Sequence, residues 1–237
     1  MNQFWEETLS EGYYDVITVK GIKRNRGLNA TWHNFTNLKV KHLINNKGKH
    51  LDYACGPGTL IGLYSHANST GYDIAKLQIE YANSKYKNHK SEFTYYEDKV
   101  FNKTYDVITI MGLFEYLEEI DILNLLKKLK NSLSQNGKII ITTPNYNSLI
   151  RILEIFSNFF GSVNYSKVNI NKLNKKKLTK IISKTDYKIN KIHKFLNFGV
   201  LFSVFSLKTG IKVENIVLKT FKNFFGYLLF VEIELDD

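Results

Sequence analysis

The chain has 237 residues, 43% of them hydrophobic, enough for one domain with a substantial core. Its formal net charge is +11, unevenly spread: residues 151–237 hold 15 Lys and Arg against 7 Asp and Glu, whereas residues 1–150 hold 18 against 15. A basic surface suits nucleic acid, an anionic membrane or an anionic substrate. Lys, Asn and Ile crowd the whole chain, however, so a plain solvated surface is the favoured reading. A single cysteine, Cys55, excludes an internal disulfide framework and fits a reducing, cytoplasmic setting.

The opening MNQFWEETLS lacks the apolar core of a signal peptide. The first 48 residues precede any strand and hold at least one helix, around Phe35–Asn45. Short β-rich runs then alternate with helical patterns. KHLDYA, STGYDI, SEFTYY, YDVITIMG and QNGKIIITTP read as five strands, the last opened by an Asn136-Gly137 turn and closed by Pro144. GTLIGLYSH reads as the first intervening helix, and AKLQIEYANSKY as the next, with Leu77, Tyr81 and Tyr86 near one face. In EEIDILNLLKKLKNSL, Ile122, Leu125, Leu126, Leu129 and Leu133 follow the i, i+3, i+4, i+7 rule of an amphipathic helix. Strands alternating with helices predict an α/β protein with a parallel, doubly wound sheet. Beyond Pro144, helices are expected over 148–161 and in NKKKLTKIISKTD, and strands in YKINKIHKF and YLLFVEIEL. The apolar run Phe195–Leu207 is too short to span a bilayer and reads as a buried segment or a surface that touches lipid.

The loop after the first strand carries the chemistry. Glycines permit positive φ and close backbone approach, and the helix beyond offers unpaired N–H groups. A dinucleotide fingerprint G-x-G-x-x-G is not met, because Gly56 and Gly58 are followed by Gly62, one residue late. Nor does that pattern have a use for Asp52.

The run Leu51-Asp52-Tyr53-Ala54-Cys55-Gly56-Pro57-Gly58-Thr59 resembles motif I of class I S-adenosylmethionine (SAM)-dependent methyltransferases. Asp73 follows 21 residues after Asp52, Glu97 and Asp98 follow the third strand, Tyr105-Asp106 opens the fourth, and Leu133–Asn145 surrounds the fifth, all in the family's order. The likeness is to the small-molecule, ubiquinone-biosynthesis-type O-methyltransferases. It implies a Rossmann-like, seven-stranded, mostly parallel sheet in the order 3-2-1-4-5-7-6, strand 7 antiparallel, with helices on both faces and an N-terminal helical cap. Residues 1–237 then form a single domain: a cap or lid over 1–48, a SAM-binding half over 49–145, and an acceptor-side half over 146–237 with an extra helix at 148–161.

The resemblance also implies roles. Asp73 accepts from the ribose diol of SAM, with a helix N-cap as its other reading. Gly56 and Gly58 let the main chain approach the ligand, and Pro57 stiffens the turn between them. Asp52 orients the loop or receives the ligand's ammonium. Asp98 and Glu97 compete for the adenine amino group. Ala54, Ile74 and Met111 complete the cofactor set. Ala54 replaces the family's first loop glycine, a change that suits a negative φ. The product is S-adenosylhomocysteine (SAH), and no metal is implied.

Methyl transfer from SAM is an in-line displacement helped by alignment and exclusion of water. An oxygen acceptor can also need a base. Met111–Leu117 resembles the family's Met-x-x-Leu-Glu-His segment: Glu115 matches the acid, and Tyr116 replaces the histidine. Glu115 has capping of the next helix as its alternative. His33, beside Trp32 just before the first domain helix, is the second candidate, with a structural role as its more common reading; Tyr13 and Tyr14 read as lid residues or as plain packing. The expected acceptor is a small molecule, a glycan precursor or a lipid-linked intermediate, methylated at oxygen. An RNA or protein acceptor lacks an N/D-P-P-Y/F/W motif or RNA-binding module to back it. A non-catalytic binding domain has no need of the intact acids and glycines. The helix over 148–161, with Ile152, Ile155, Phe156, Phe159 and Phe160, reads as packed on the sheet or cap, with an acceptor pocket, dimer or peripheral membrane contact as alternatives.

Overall fold

The computed structural model describes residues 9–147, 169–221 and 226–236. The helix expected over 148–161 lies outside them. Seven strands form one sheet: β1 (Lys49–Tyr53), β2 (Asn68–Tyr72), β3 (Ser91–Thr94), β4 (Tyr105–Met111), β5 (Leu133–Pro144), β6 (Tyr187–Phe195) and β7 (Leu228–Leu235). Their order is β3-β2-β1-β4-β5-β7-β6. The first five pair in parallel, and β7 runs antiparallel between β5 and β6.

Alternation along the central strands divides the core. Ile108, Ile110, Ile139 and Ile141 face one layer, where they meet α6 (Glu119–Lys130) and α7 (Lys175–Ile182). Helix α6 buries Ile122, Leu125, Leu126 and Leu129, as its periodicity predicts. Each such side chain contributes about 1.5–3 kcal/mol relative to full exposure. Val107 and Ile140, one residue out of phase, face the opposite layer with Phe35, Leu60, Val200 and Phe230. That layer contains α1 (Tyr13–Arg24), α2 (Leu28–Lys41), α3 (Thr59–Tyr64), α4 (Lys76–Tyr86), α8 (Gly199–Phe202) and α9 (Leu207–Phe221). The four-residue α5 (Asp98–Phe101) follows β3.

The sequence expectations shift in five places. The cap has two helices, and the one expected at Phe35–Asn45 begins earlier, at Leu28. Gly27, at φ 129°, separates them after α1 ends on a left-handed Asn25. Helix α4 buries Gln78, Ile79 and Ala82 and leaves Leu77 exposed. The Asn136-Gly137 pair does not precede β5 but bulges within it, since Tyr105 and Val107 pair with Leu133 and Lys138. Helix α9, between β6 and β7, was not foreseen. The run Phe195–Leu207 divides: Phe195, Leu196 and Val200 are buried, whereas Leu201, Phe202, Val204 and Phe205 are exposed.

Candidate active site

β1 delivers Asp52 and the chain turns through residues 54–58 into α3. Three residues of this turn are left-handed: Ala54 (φ 66°), Gly56 (51°) and Gly58 (75°). Ala54 therefore does not have the negative φ expected of it. The Cys55 amide donates to the Tyr72 carbonyl at 2.9 Å, fixing the turn to β2. An L-residue held in this conformation costs about 1–2 kcal/mol relative to right-handed backbone.

The glycines serve different ends. A Cβ on Gly58 would stand 2.6 Å from the Phe93 ring and 3.0 Å from the Ala82 methyl, so Gly58 is required by packing. Gly62, the misplaced third glycine, is likewise packed: a Cβ there would meet the Tyr86 ring at 2.2 Å. Among the described residues, a Cβ on Gly56 would meet nothing within 4 Å. Gly56 thus turns its bare Cα away from the packed atoms of the turn.

Two carboxylates border this turn. Asp73, just past β2, accepts from the Gly56 amide at 2.8 Å and the Ala75 amide at 2.9 Å. Burial raises its pKa, against the lowering effect of those amides. It ties the loop rather than capping α4, whose start has no side-chain cap. The Ile74 amide adds to the lowering effect on the Asp73 pKa. Ile74, its neighbour, is exposed.

Asp52 is 1% exposed. Its Oδ1 accepts from the Thr109 hydroxyl at 2.7 Å, while Oδ2 is buried with no partner among the described residues. Burial pushes its pKa up to about 7, opposed by Thr109 and reinforced by Asp73. No hydrogen bond joins it to the glycine loop, so it does not orient that loop directly.

A buried polar chain continues beneath Asp52. His50 Nε2 lies 2.9 Å from Thr109 Oγ1, and Nδ1 lies 3.1 Å from Ser69 Oγ. Thr109 has one proton, which goes to Asp52 Oδ1 at 2.7 Å rather than to the Leu51 carbonyl at 3.3 Å. His50 must then donate from Nε2 and accept from Ser69 at Nδ1. Burial lowers its pKa to about 3, so the ring is neutral. The sequence reading missed His50 and Thr109. The signal was the alternation His50-x-Asp52, which puts two polar groups on one face of a buried strand.

The adenine candidates separate. Glu97 accepts from Tyr53 at 2.7 Å and pairs with Lys128 at 3.1 Å. Asp98 is exposed at the start of α5. Met111 ends β4 and packs against the α2 layer. Past it, Glu115 is buried and accepts from Thr143 at 3.0 Å at the end of β5. It does not cap α6, whose N-cap is Glu118 with no side-chain bond. His33 projects from α2 with the Tyr14 ring 5.0 Å away, and burial lowers its pKa to about 4.

The cap also reaches the cofactor loop through Asp15 of α1, which the sequence did not single out. Its fully buried carboxylate accepts from Thr59 of α3 at 2.9 Å, and from Tyr81 at 2.8 Å, Tyr86 at 2.7 Å and Lys85 at 2.5 Å on α4. Burial works to raise its pKa, but the bonds from Lys85, Tyr86, Tyr81 and Thr59 together hold it below the usual value.

The sheet order, the glycine turn after β1 and the acid after β2 define a Rossmann-like methyltransferase fold. A family model described as a methyltransferase domain matches residues 25–191, and the chain belongs to that family. None of the curated proteins matches the sequence. Among solved structures, the plantazolicin methyltransferase BpumL in complex with SAH is 21% identical, with a TM-score of 0.57, covering 100% of this chain and 94% of that one. The magnesium protoporphyrin IX methyltransferase ChlM from Synechocystis PCC 6803, with bound SAH, is 13% identical with a TM-score of 0.58, covering 94% and 96%. A SAM-dependent methyltransferase from Archaeoglobus fulgidus is 16% identical with a TM-score of 0.57, covering 84% and 92%. At these identities the likeness is one of fold.

Proposed function

We propose that this methyltransferase uses SAM to methylate a small-molecule, glycan-precursor or lipid-linked acceptor at oxygen. The observation that carries the cofactor is the turn itself: an open Cα at Gly56 between an unpartnered buried carboxylate oxygen on Asp52 and the carboxylate of Asp73. That donor set fits a ligand with a cationic tail at one end and a diol at the other. When bound, SAM supplies a methyl group on a sulfonium sulfur. Asp52 Oδ2 receives the ammonium, which satisfies a buried atom that otherwise has no partner. Asp73 accepts from the ribose hydroxyls while holding Gly56. Asp98 takes the adenine amino group, since Glu97 is engaged by Tyr53 and Lys128, and Ile74 and Met111 supply apolar contact.

An oxygen acceptor needs a proton taken from it. His33 is assigned that role, because a neutral imidazole offers a free lone pair. Glu115 is assigned to positioning the β4 exit through Thr143. The test is a metabolite extract incubated with the protein and methyl-labelled SAM. A product heavier by one methyl group supports the reading. Calorimetry that detects NAD binding and no SAH binding refutes it. His33→Gln should lower kcat by about 10²-fold or more with KM little changed.

A further inference from the structure

The loop between α8 and α9 is built to present apolar side chains. Leu201, Phe202 and Val204 are 44–45% exposed and Phe205 is 83% exposed. The remaining residue of this stretch, Ser203, turns inward, with its hydroxyl on the Val200 carbonyl at 2.5 Å. The presentation is rigid. The Gly27 amide donates to the Ser203 carbonyl at 3.1 Å, the Leu207 amide to the Asn25 carbonyl at 2.7 Å, and the Asn25 side chain to the Ser206 hydroxyl at 3.1 Å. Gly199 and Gly210 bring α8 and α9 together so closely that a Cβ on Gly199 would lie 2.5 Å from the Gly210 carbonyl.

These bonds fasten the apolar loop to the turn between α1 and α2, whose exposed flanks are Arg24 and Arg26. Lys20, Arg24 and Arg26 line an open groove of about 380 Å³ between the two helices. Residues 16–49 hold eight Lys and Arg and no Asp or Glu. Residues 196–221 hold Lys208, Lys212 and Lys219 against Glu214 alone, which is buried on the Asn197 amide at 2.7 Å. Neither stretch therefore carries an exposed carboxylate, whereas Lys188 and Lys191 on the neighbouring β6 pair with Glu234 and Glu232.

We infer that this face docks on an anionic lipid bilayer, with Leu201, Phe202, Val204 and Phe205 entering the acyl boundary and Lys20, Arg24 and Arg26 meeting headgroup phosphates. Exposed apolar side chains ringed by cations match the two parts of such an interface. A second copy of the chain would bring like charges together. A nucleic acid would meet the cations, but Leu201 and Val204 have no ring to stack on a base.

The test is sedimentation of the whole protein with vesicles of equal parts phosphatidylglycerol and phosphatidylcholine, against phosphatidylcholine alone, with a short RNA as competitor. Salt-sensitive binding to the anionic vesicles alone is expected. Phe205→Ser, at an exposed site, should weaken it about tenfold or more. Arg24→Gln with Arg26→Gln should weaken it roughly thirtyfold. Lys175→Gln with Lys176→Gln, on α7 across the sheet, removes the same charge and should change it by about twofold at most. Four outcomes overturn the inference: no sedimentation at low salt, equal losses for the two double variants, indifference to Phe205→Ser, or RNA that displaces the vesicles and binds Phe205→Ser undiminished. None of these readouts depends on methyl transfer.

Discussion

Asp52→Asn tests the cofactor site most directly. With a pKa near 7, Asp52 is about one-tenth ionised at pH 6 and nine-tenths at pH 8. A charge-assisted hydrogen bond to the ligand's ammonium is worth about 1.5–3 kcal/mol, or roughly 10- to 150-fold in affinity. Asparagine should therefore weaken SAH binding by that factor at pH 8. At pH 6 the gap from the native protein should shrink about tenfold, because the native carboxylate is mostly protonated there. The ligand's own titration is common to both proteins and cancels in the ratio. Stability moves the other way. The folded pKa lies above the unfolded value, so Asp52 costs stability as pH rises from about 4 through 7, and the cost is fully present at pH 8. The neutral amide escapes that cost, and the variant should melt higher at pH 8, by about 1–2 kcal/mol in free energy. Calorimetry with SAH at both pH values and thermal melts at pH 8 make the measurement. An equal affinity loss at pH 6 and pH 8, or a lower melting temperature at pH 8, would refute the reasoning.

The glycines should divide by consequence. Gly56→Ala meets no atom of the described residues and should lose only the left-handed strain of about 1–2 kcal/mol while weakening SAH severely; Gly58→Ala adds a methyl forced onto Phe93 and should lose about 2–4 kcal/mol of stability by denaturant titration. Ala54→Gly removes left-handed strain and should raise stability by about 0.5–1 kcal/mol in the same titration. Asp15→Ala strands the Thr59, Tyr81, Tyr86 and Lys85 donors and should cost about 3–5 kcal/mol, read by thermal unfolding.

The sheet was legible because its strands carry local signals. YKINKIHKF is β6 to the residue, and β7 differs from its expectation by one residue. That Asp52, Gly56, Gly58 and Asp73 gather around one turn was legible because motif I is a contiguous pattern and Asp73 falls just past the end of β2. Helix α9 was hidden by its β-branched run, Ile211, Val213, Ile216 and Val217, and by Gly210, which weaken a helical reading. Asp15 could not be read, because its partners lie 44 to 71 residues away. The α4 face was misassigned for the same reason. Tyr81 and Tyr86 look like core residues by spacing, yet their hydroxyls are spent on that distant carboxylate. The sign of φ at Ala54 is set by the pairing of Cys55 with Tyr72, which adjacent sequence does not encode.

Helix α1 has 12 residues, so its ends lie about 18 Å apart. Near one end, Asp15 grips the helix that receives the cofactor loop; at the other, Lys20, Lys23 and Arg24 face outward beside the apolar loop. Under the proposed docking, cofactor binding and bilayer binding share this one helix. By reciprocity, any displacement of α1 that vesicles favour must change SAH affinity by the same factor that SAH changes vesicle affinity. On the proposed docking, this helix is a beam between the cofactor turn and the bilayer.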